Sequence, residues 1–110
     1  MALKFIASFF KISVKIIAGG ANNQLSDKET GKLLYKRGVL YAPDYAINAG
    51  GLISVVDEHE NKRYNVLRIE KKVKIIPSTL QKIFIESKKG NFAPEESADA
   101  IAENILNRYE

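Results

Sequence analysis

The sequence predicts an α/β fold in which two short parallel strands are joined by a helix and followed by more helices. Two apolar runs, residues 14–18 and 39–42, are each closed by residues that end a strand. Between them, residues 26–29 read Ser-Asp-Lys-Glu, which is typical of a helix N-terminus. A strand–helix–strand unit of this length implies a right-handed crossover and parallel pairing.

The N-terminal segment, residues 1–13, is apolar but interrupted by Lys4 and Lys11. It is much shorter than the ~20 residues that a transmembrane helix needs. No convincing cleavage site follows it, as one would after a signal peptide. It is therefore treated as an unassigned apolar segment, and the domain is taken to start at residue 14.

The first helix is expected to begin at Ser26 and to end near residue 37. Ser26 with Glu29 three residues later has the form of a capping box. Leu33 and Leu34 are expected to face inward. Gly38 should end the helix, because glycine readily adopts the left-handed backbone conformation found there.

The stretch after the second strand is the most informative part of the chain. Pro43-Asp44 stops the strand, Asn48-Ala49-Gly50-Gly51 follows, and apolar residues then resume at helical spacing from Leu52. This order of strand, loop, glycine pair and helix places a helix N-terminus above the end of a strand, where open α/β sheets bind ligands. The glycines would allow a ligand close approach. An ordinary connection with glycines for tight packing remains the alternative.

The rest of the chain is predicted to be helical. Polar residues 59–63 indicate a turn, and residues 64–89 form a helical region that breaks near Ile76. The break is expected because Pro77 in a continuous helix would cost ~3 kcal/mol or more. Gly90 ends the region and Pro94 suits the first turn of a last helix. That helix carries an apolar stripe of Ala98, Ile101, Ala102, Ile105 and Tyr109.

Composition excludes several classes of function. The chain has 110 residues and no cysteine, so disulfides and thiolate chemistry are absent and a reducing cytoplasm is the expected location. The net charge is +4, but the lysines lie in segments with helical apolar spacing, as on a solvated helix face. No nucleic-acid motif accompanies them. We therefore expect neither a nucleic-acid partner nor a membrane.

No catalytic or metal-binding residue is assigned. His59 is the single histidine and lies among Asp57, Glu58 and Glu60, where side chains at a helix end would point in different directions. No glycine-elbow serine accompanies it. Neither G-x-G-x-x-G nor G-x-x-x-x-G-K-[ST] occurs, so the chain carries no phosphate-binding loop of its own.

Two longer motifs resemble a known family. Residues 15–25, KIIAGGANNQL, and residues 40–58, LYAPDYAINAGGLISVVDE, are together similar to the cofactor domain of the glutamate/leucine/phenylalanine/valine dehydrogenases, with the leucine dehydrogenase branch most similar. The resemblance covers residues 14–110. It implies a partial Rossmann-like, doubly wound parallel sheet followed by C-terminal helices. It also implies NAD-dependent oxidative deamination of a branched-chain L-amino acid, leucine or valine, to its 2-oxo acid.

The resemblance also suggests roles for five residues. Ala21 and Asn22 match positions that contact the nicotinamide half of the cofactor, and Asn48 matches an asparagine that contacts both cofactor and substrate. Leu52 and Val55 match two positions that face the substrate side chain. The second of these is a hydroxyl residue in the glutamate-specific members, so Val55 favours an aliphatic substrate. Packing in the core is the alternative role for Leu52 and Val55.

The departures from the family are as informative as the match. In the family, the catalytic lysine and aspartate, the glycine-rich turn for the pyrophosphate and the acidic residue that selects NAD over NADP would all lie before Met1. The family also has no proline at the position of Pro77. We therefore expect the C-terminal part of an enzyme, inactive alone and in need of a separate N-terminal catalytic segment. A homo-oligomer, a catalytically silent truncated fragment and a small basic binding module remain open.

Overall fold

The structure is a computed structural model that describes residues 13–109. The unassigned segment predicted for residues 1–13 therefore lies almost wholly outside the described residues. The elements, in chain order, are β1 (Ile16–Ile17), α1 (Lys28–Lys36), β2 (Leu40–Tyr41), α2 (Asp44–Ile47), α3 (Gly50–Asn61), α4 (Val66–Val73), α5 (Ile75–Gly90) and α6 (Pro94–Leu106). None of these helices is long and apolar enough to cross a membrane.

The predicted parallel pairing of the two strands is confirmed. Ile16 is opposite Leu40 and Ile17 is opposite Tyr41. The backbone N–H of Leu40 donates to Lys15 at 2.8 Å, and that of Ala42 donates to Ile17 at 2.9 Å. Each strand has only two residues, fewer than predicted, because ladder bonds form only over this short overlap. The α/β class is thus confirmed, whereas two strands in the described residues do not establish a doubly wound sheet.

A small core lies between α1 and the sheet. Leu34, Val39 and Tyr41 are buried there, with Ile17, Leu25 and Leu33 partly buried around them. Gly38 ends α1 as predicted, with a left-handed φ of 72°.

The predicted cap of α1 is wrong by one residue. Asp27 is the N-cap, and its Oδ1 accepts the backbone N–H of Thr30 at 2.8 Å. The Ser26 hydroxyl instead shares a hydrogen bond with the Thr30 hydroxyl at 3.0 Å. Both residue types make good N-caps, so the choice between neighbours depends on the backbone path into the helix.

The connection from β2 to α3 also differs from the prediction. A helical turn, α2, occupies the predicted loop, and Gly50 and Gly51 are the first residues of α3 rather than a separate linker. At the other end, α3 extends to Asn61 and stops at Lys62, whose φ is 53°. His59 therefore lies in the last turn of a helix and not in the predicted turn.

The predicted helix break is confirmed, but it lies at Lys74, between α4 and α5. This position makes Pro77 the third residue of α5. Backbone N–H groups in the first turn have no partner within the helix, so proline removes no helical hydrogen bond there. A break at Lys74 therefore accommodates Pro77 without the loss of a helical hydrogen bond.

The last helix begins at Pro94, as predicted, but ends at Leu106. Ala98 is buried and Ile101 is half-buried, whereas Ala102, Ile105 and Tyr109 are exposed. Ala98, Ile101, Ala102 and Ile105 nevertheless line one groove together with side chains of α5, so these four residues lie on one face as predicted. Tyr109 lies beyond the end of the helix and is not part of that lining.

Candidate functional site

The loops that follow β1 and β2 meet at one edge of the sheet, as the carboxyl ends of parallel strands do. The side-chain amide of Asn48 donates a short hydrogen bond through Nδ2 to Oδ1 of Asn22. The same nitrogen lies 3.5 Å from the carbonyl oxygen of Gly20. Two of the residues predicted to bind the cofactor are thus in direct contact.

The loop after β1 is held in shape by its own side chains. Nε2 of Gln24 donates to the carbonyl oxygen of Gly19 at 2.7 Å and to that of Ala21 at 2.9 Å. Ala21 is exposed beside Asn22. These two hydrogen bonds fix the backbone on both sides of Gly20 and so position Ala21, the third residue predicted to contact the cofactor.

Asp44 joins the two loops. Its Oδ2 accepts the backbone N–H of Asn23 at 2.6 Å, and its carbonyl oxygen accepts the backbone N–H of Asn48 at 2.9 Å. Its Oδ1 accepts the Tyr41 hydroxyl at 3.3 Å. Burial, reinforced by the Asp44 charge, raises the pKa of Tyr41 to about 12, so this hydroxyl stays protonated and able to donate.

The glycine pair leaves open space rather than filling a tight contact. A Cβ on Gly51 would meet no atom within 4 Å, and one on Gly50 would only touch Val73 at 3.9 Å. Packing within the described residues therefore does not require glycine at either position. This argues against the tight-packing alternative and leaves room above the start of α3.

Leu52 and Val55 lie on the exposed side of α3. Leu52 is 69% exposed and Val55 is 64% exposed, so neither belongs to the core of this chain. Leu52 lines an open groove of about 390 Å³ with Ile53, Val56, Glu60, Lys72 and Ile75, and Val55 is not part of that lining. The structure rules out the core-packing role within the described residues, and the substrate-binding role stays a prediction.

Sequence reasoning missed a buried ion cluster next to this groove. The carboxylate of Asp57 is fully buried between α3 and α4, 2.7 Å from Nη2 of Arg68 and 2.8 Å from Nζ of Lys72. Hydrogen bonds from Arg68 and Lys72 lower the pKa of Asp57 to about 2. The available signal was the spacing of the two cations, which places both on one face of α4.

No metal centre is found. The described residues contain no group of three acidic, histidine or cysteine side chains able to hold an ion. His59, which lies among acidic residues in the sequence, is exposed at the end of α3. The side chains that meet at the two strand-end loops within residues 13–109 are the amides of Asn22 and Asn48 with the carboxylate of Asp44.

Behind the two loops lies a cavity of about 440 Å³ that sequence reasoning also missed. It is lined on one side by Asn22, Asn23 and Asp44 and on the other by Glu95 and Asp99 of α6. Both carboxylate oxygens of Glu95 are buried, and neither has a hydrogen-bond partner in the described part of the chain. Burial raises the pKa of Glu95. Gly31 of α1 makes room for it, since a Cβ there would lie 1.3 Å from Oε1.

Glu95→Gln is expected to stabilise the chain at neutral pH, because an amide is buried at lower cost than a carboxylate. Because the pKa of Glu95 is raised in the folded chain, the protonated carboxyl group favours the folded state. Its stabilisation is fully present below the unfolded pKa and is lost as pH rises through the folded pKa. Thermal melts of both proteins should coincide near pH 4 and separate towards pH 8. A separation independent of pH would contradict this account.

Three comparisons bear on the identity of the chain. The family model for Glutamate/Leucine/Phenylalanine/Valine dehydrogenase matches residues 4–103. Leucine dehydrogenase from Bacillus cereus is 43% identical over 96 residues, which are 87% of this chain and 26% of that enzyme. Valine dehydrogenase from Streptomyces coelicolor is 41% identical over 95 residues, 86% of this chain and 26% of that enzyme.

The structural comparison agrees. The crystal structure of L-tryptophan dehydrogenase from Nostoc punctiforme superposes with a TM-score of 0.79 at 41% identity, covering 86% of this chain and 28% of that one. The chain therefore spans about a quarter of the length of the relatives it matches.

Proposed function

Because the chain belongs to the glutamate/leucine/phenylalanine/valine dehydrogenase family, we propose that it forms the nicotinamide-binding part of an NAD-dependent amino-acid dehydrogenase. The observation that carries the proposal is the contact between the amides of Asn22 and Asn48 at the ends of the two strands. Each amide both donates and accepts hydrogen bonds, as does the carboxamide of a nicotinamide ring. The open space above Gly51 supports close approach of a flat ring to the start of α3.

When bound, NAD would supply the hydride acceptor, and Ala21, Asn22 and Asn48 would hold and orient its nicotinamide end. The described residues fit this role because they are uncharged, lie at the strand ends and leave space for a ring. We propose NAD rather than NADP by family, as the residue that selects between them would precede this chain.

The proposed substrate is a branched-chain L-amino acid, leucine or valine, or the corresponding 2-oxo acid. Leu52 and Val55 are three residues apart on α3 and both are exposed, so they present apolar surface on one side of that helix. The matched relatives are named for leucine, phenylalanine, valine and tryptophan, all of which have apolar side chains. An apolar surface also suits these substrates because it offers no partner for a charged side chain.

The acid–base groups are proposed to come from a separate N-terminal catalytic segment. The family's catalytic lysine and aspartate are expected outside this chain, which spans only 26% of the length of its leucine dehydrogenase relative. A polypeptide corresponding to the missing part is therefore the partner we propose. The cytoplasm is the proposed location, since a chain without cysteine needs no oxidising compartment.

The purified 110-residue chain is expected to show no leucine- or valine-dependent reduction of NAD. General acid–base catalysis alone contributes about 10²–10⁴-fold, and we propose that the groups for it belong to the part of the enzyme that this chain does not span. Absorbance at the wavelength of NADH would be followed with the chain alone and with the chain fused to the N-terminal part of the Bacillus cereus enzyme.

The fusion should be active and Asn48→Ala should reduce its activity, with Tyr109→Ala as an exposed control outside the site. Turnover by the chain alone that depends on Asn48 would overturn the need for a catalytic segment. An inactive, well-folded fusion would instead favour the silent-fragment alternative.

A further inference from the structure

We propose that Asp44 is a positioning residue that fixes the separation of the Asn22 and Asn48 amides. This inference rests on the proposed function for its role in catalysis, but the geometry that it claims can be tested without any cofactor. Asp44 lies within the second family motif, but it is not among the five residues for which the resemblance suggests a role. It contacts both strand-end loops, one through its carboxylate and the other through its backbone.

The carboxylate acts on the loop after β1. Oδ2 accepts the backbone N–H of Asn23 at 2.6 Å, and a hydrogen bond to an ionised carboxylate is stronger than one between neutral groups. Asn23 has a φ of 53°, in the left-handed region, which asparagine adopts more readily than most residues other than glycine. The contact holds the backbone in this conformation immediately after Asn22, and this conformation sets the direction in which the Asn22 side chain leaves the loop.

The backbone of Asp44 acts on the loop after β2. Asp44 is the first residue of the single-turn helix α2, and Asn48 is its C-cap. The carbonyl oxygen of Asp44 accepts the backbone N–H of Asn48 at 2.9 Å. Because only one helical turn separates the two residues, a displacement of Asp44 would displace Asn48 as well.

Asp44 can hold these loops because it is itself fixed. Pro43 before it is fully buried. Tyr41, on β2, donates its hydroxyl to Oδ1 at 3.3 Å. Tyr45 after it donates its hydroxyl to Asp99 Oδ1 at 2.8 Å and lies 3.2 Å from the carbonyl oxygen of Glu95. The turn is thus anchored to the sheet on one side and to α6 on the other.

The test uses the isotope-labelled 110-residue chain in solution, without cofactor. NMR spectra would follow hydrogen exchange of the Asn23 backbone amide and the chemical shift of the Asn48 side-chain amide in Asp44→Ala and Asp44→Asn. In Asp44→Ala, exchange at Asn23 should accelerate roughly ten- to a hundredfold, as expected for loss of a hydrogen bond to a charged group. The Asn48 side-chain amide should move towards the shift of a free asparagine.

Two further variants separate positioning from general stability. Asp44→Asn retains one carbonyl acceptor and should restore part of the protection at Asn23 and part of the Asn48 shift. Ser87→Ala removes the buried hydrogen bond from Ser87 Oγ to the carbonyl oxygen of Phe92 and touches neither loop contact, so it should lower the melting temperature while leaving the Asn48 side-chain amide in place. If Asp44→Ala does not fold, the comparison of Asp44→Asn with Ser87→Ala carries the test.

The outcomes are distinct. Movement of the Asn48 amide in the Asp44 variants but not in Ser87→Ala supports the positioning role. An Asn48 amide that stays in place in a folded Asp44→Ala or Asp44→Asn overturns it. Titration of the unsubstituted chain with NAD tests only the proposed function. If NAD does not bind, the NMR result on the coupling between Asp44 and the two amides is unaffected.

Discussion

Replacing Asp57 with Asn is expected to lower the melting temperature of the chain sharply. The Asp57 carboxylate is fully buried, and it accepts hydrogen bonds from Nε of Arg68 at 2.7 Å and from Nδ2 of Asn61 at 3.4 Å, with Lys72 at 2.8 Å. Removing the negative charge leaves Arg68 without this counter-ion and Lys72 with only the exposed Glu60, and breaking a buried pair in this way is strongly destabilising. Circular dichroism melts at pH 7 would measure the effect.

Glu60→Gln is the matched control for this prediction. Glu60 contacts the same Lys72 nitrogen at 3.4 Å, but it is exposed. Exposed ion pairs contribute little to stability, so the melting temperature of this variant should stay close to that of the unsubstituted chain. An equal decrease in melting temperature in Asp57→Asn and Glu60→Gln would mean that the burial of Asp57 does not determine how much its ion pairs stabilise the chain.

The pH dependence gives a second measure of the same cluster. Hydrogen bonds from Arg68 and Lys72 lower the pKa of Asp57 to about 2 in the folded chain. A lowered pKa means that the stabilisation is fully present above the unfolded pKa, about 3.9 for an aspartate, and is lost as pH falls through the folded pKa. The difference in melting temperature between the unsubstituted chain and Asp57→Asn should therefore be constant from pH 7 to 5 and shrink between pH 4 and 2.

The parts of the fold that the sequence predicted are those set by local rules. Gly38 and Pro94 mark the end of α1 and the start of α6, as the conformational preferences of glycine and proline require. Pro77 correctly indicated a break, but proline is tolerated anywhere in a first turn, so it could not locate the break at Lys74.

The missed features depend on contacts between distant segments. Asp57 lies in a run of charged residues that is typical of a solvated surface, and only the packing of α4 against α3 buries it. Glu95 is buried because Gly31, far away in the chain, leaves space for its carboxylate. Similarly, family resemblance suggested Asn22 and Asn48 separately, whereas their contact and the role of Asp44 between them required the structure.

Val55→Ser is expected to change substrate preference once the missing catalytic part is restored. In a fusion active on leucine, Val55 would border the substrate side chain together with Leu52, since both are exposed on α3. An apolar surface rejects glutamate because the substrate carboxylate would be buried without a partner. A serine hydroxyl would offer a hydrogen bond to glutamate and remove apolar contact from leucine.

The quantity to measure is the ratio of kcat/KM for leucine to kcat/KM for glutamate. One methylene in an apolar pocket changes this kind of ratio by ~10- to 200-fold, so Val55→Ser should lower it by at least about tenfold. Val66→Ser is the control, because Val66 is an exposed valine on α4 and makes no part of the proposed pocket. If the fusion is active and the leucine-to-glutamate ratio is the same in Val55→Ser and Val66→Ser, Val55 does not face the substrate. The branched-chain assignment would then rest on family membership alone, because Val55 is the residue on which the proposed preference for an aliphatic side chain depends.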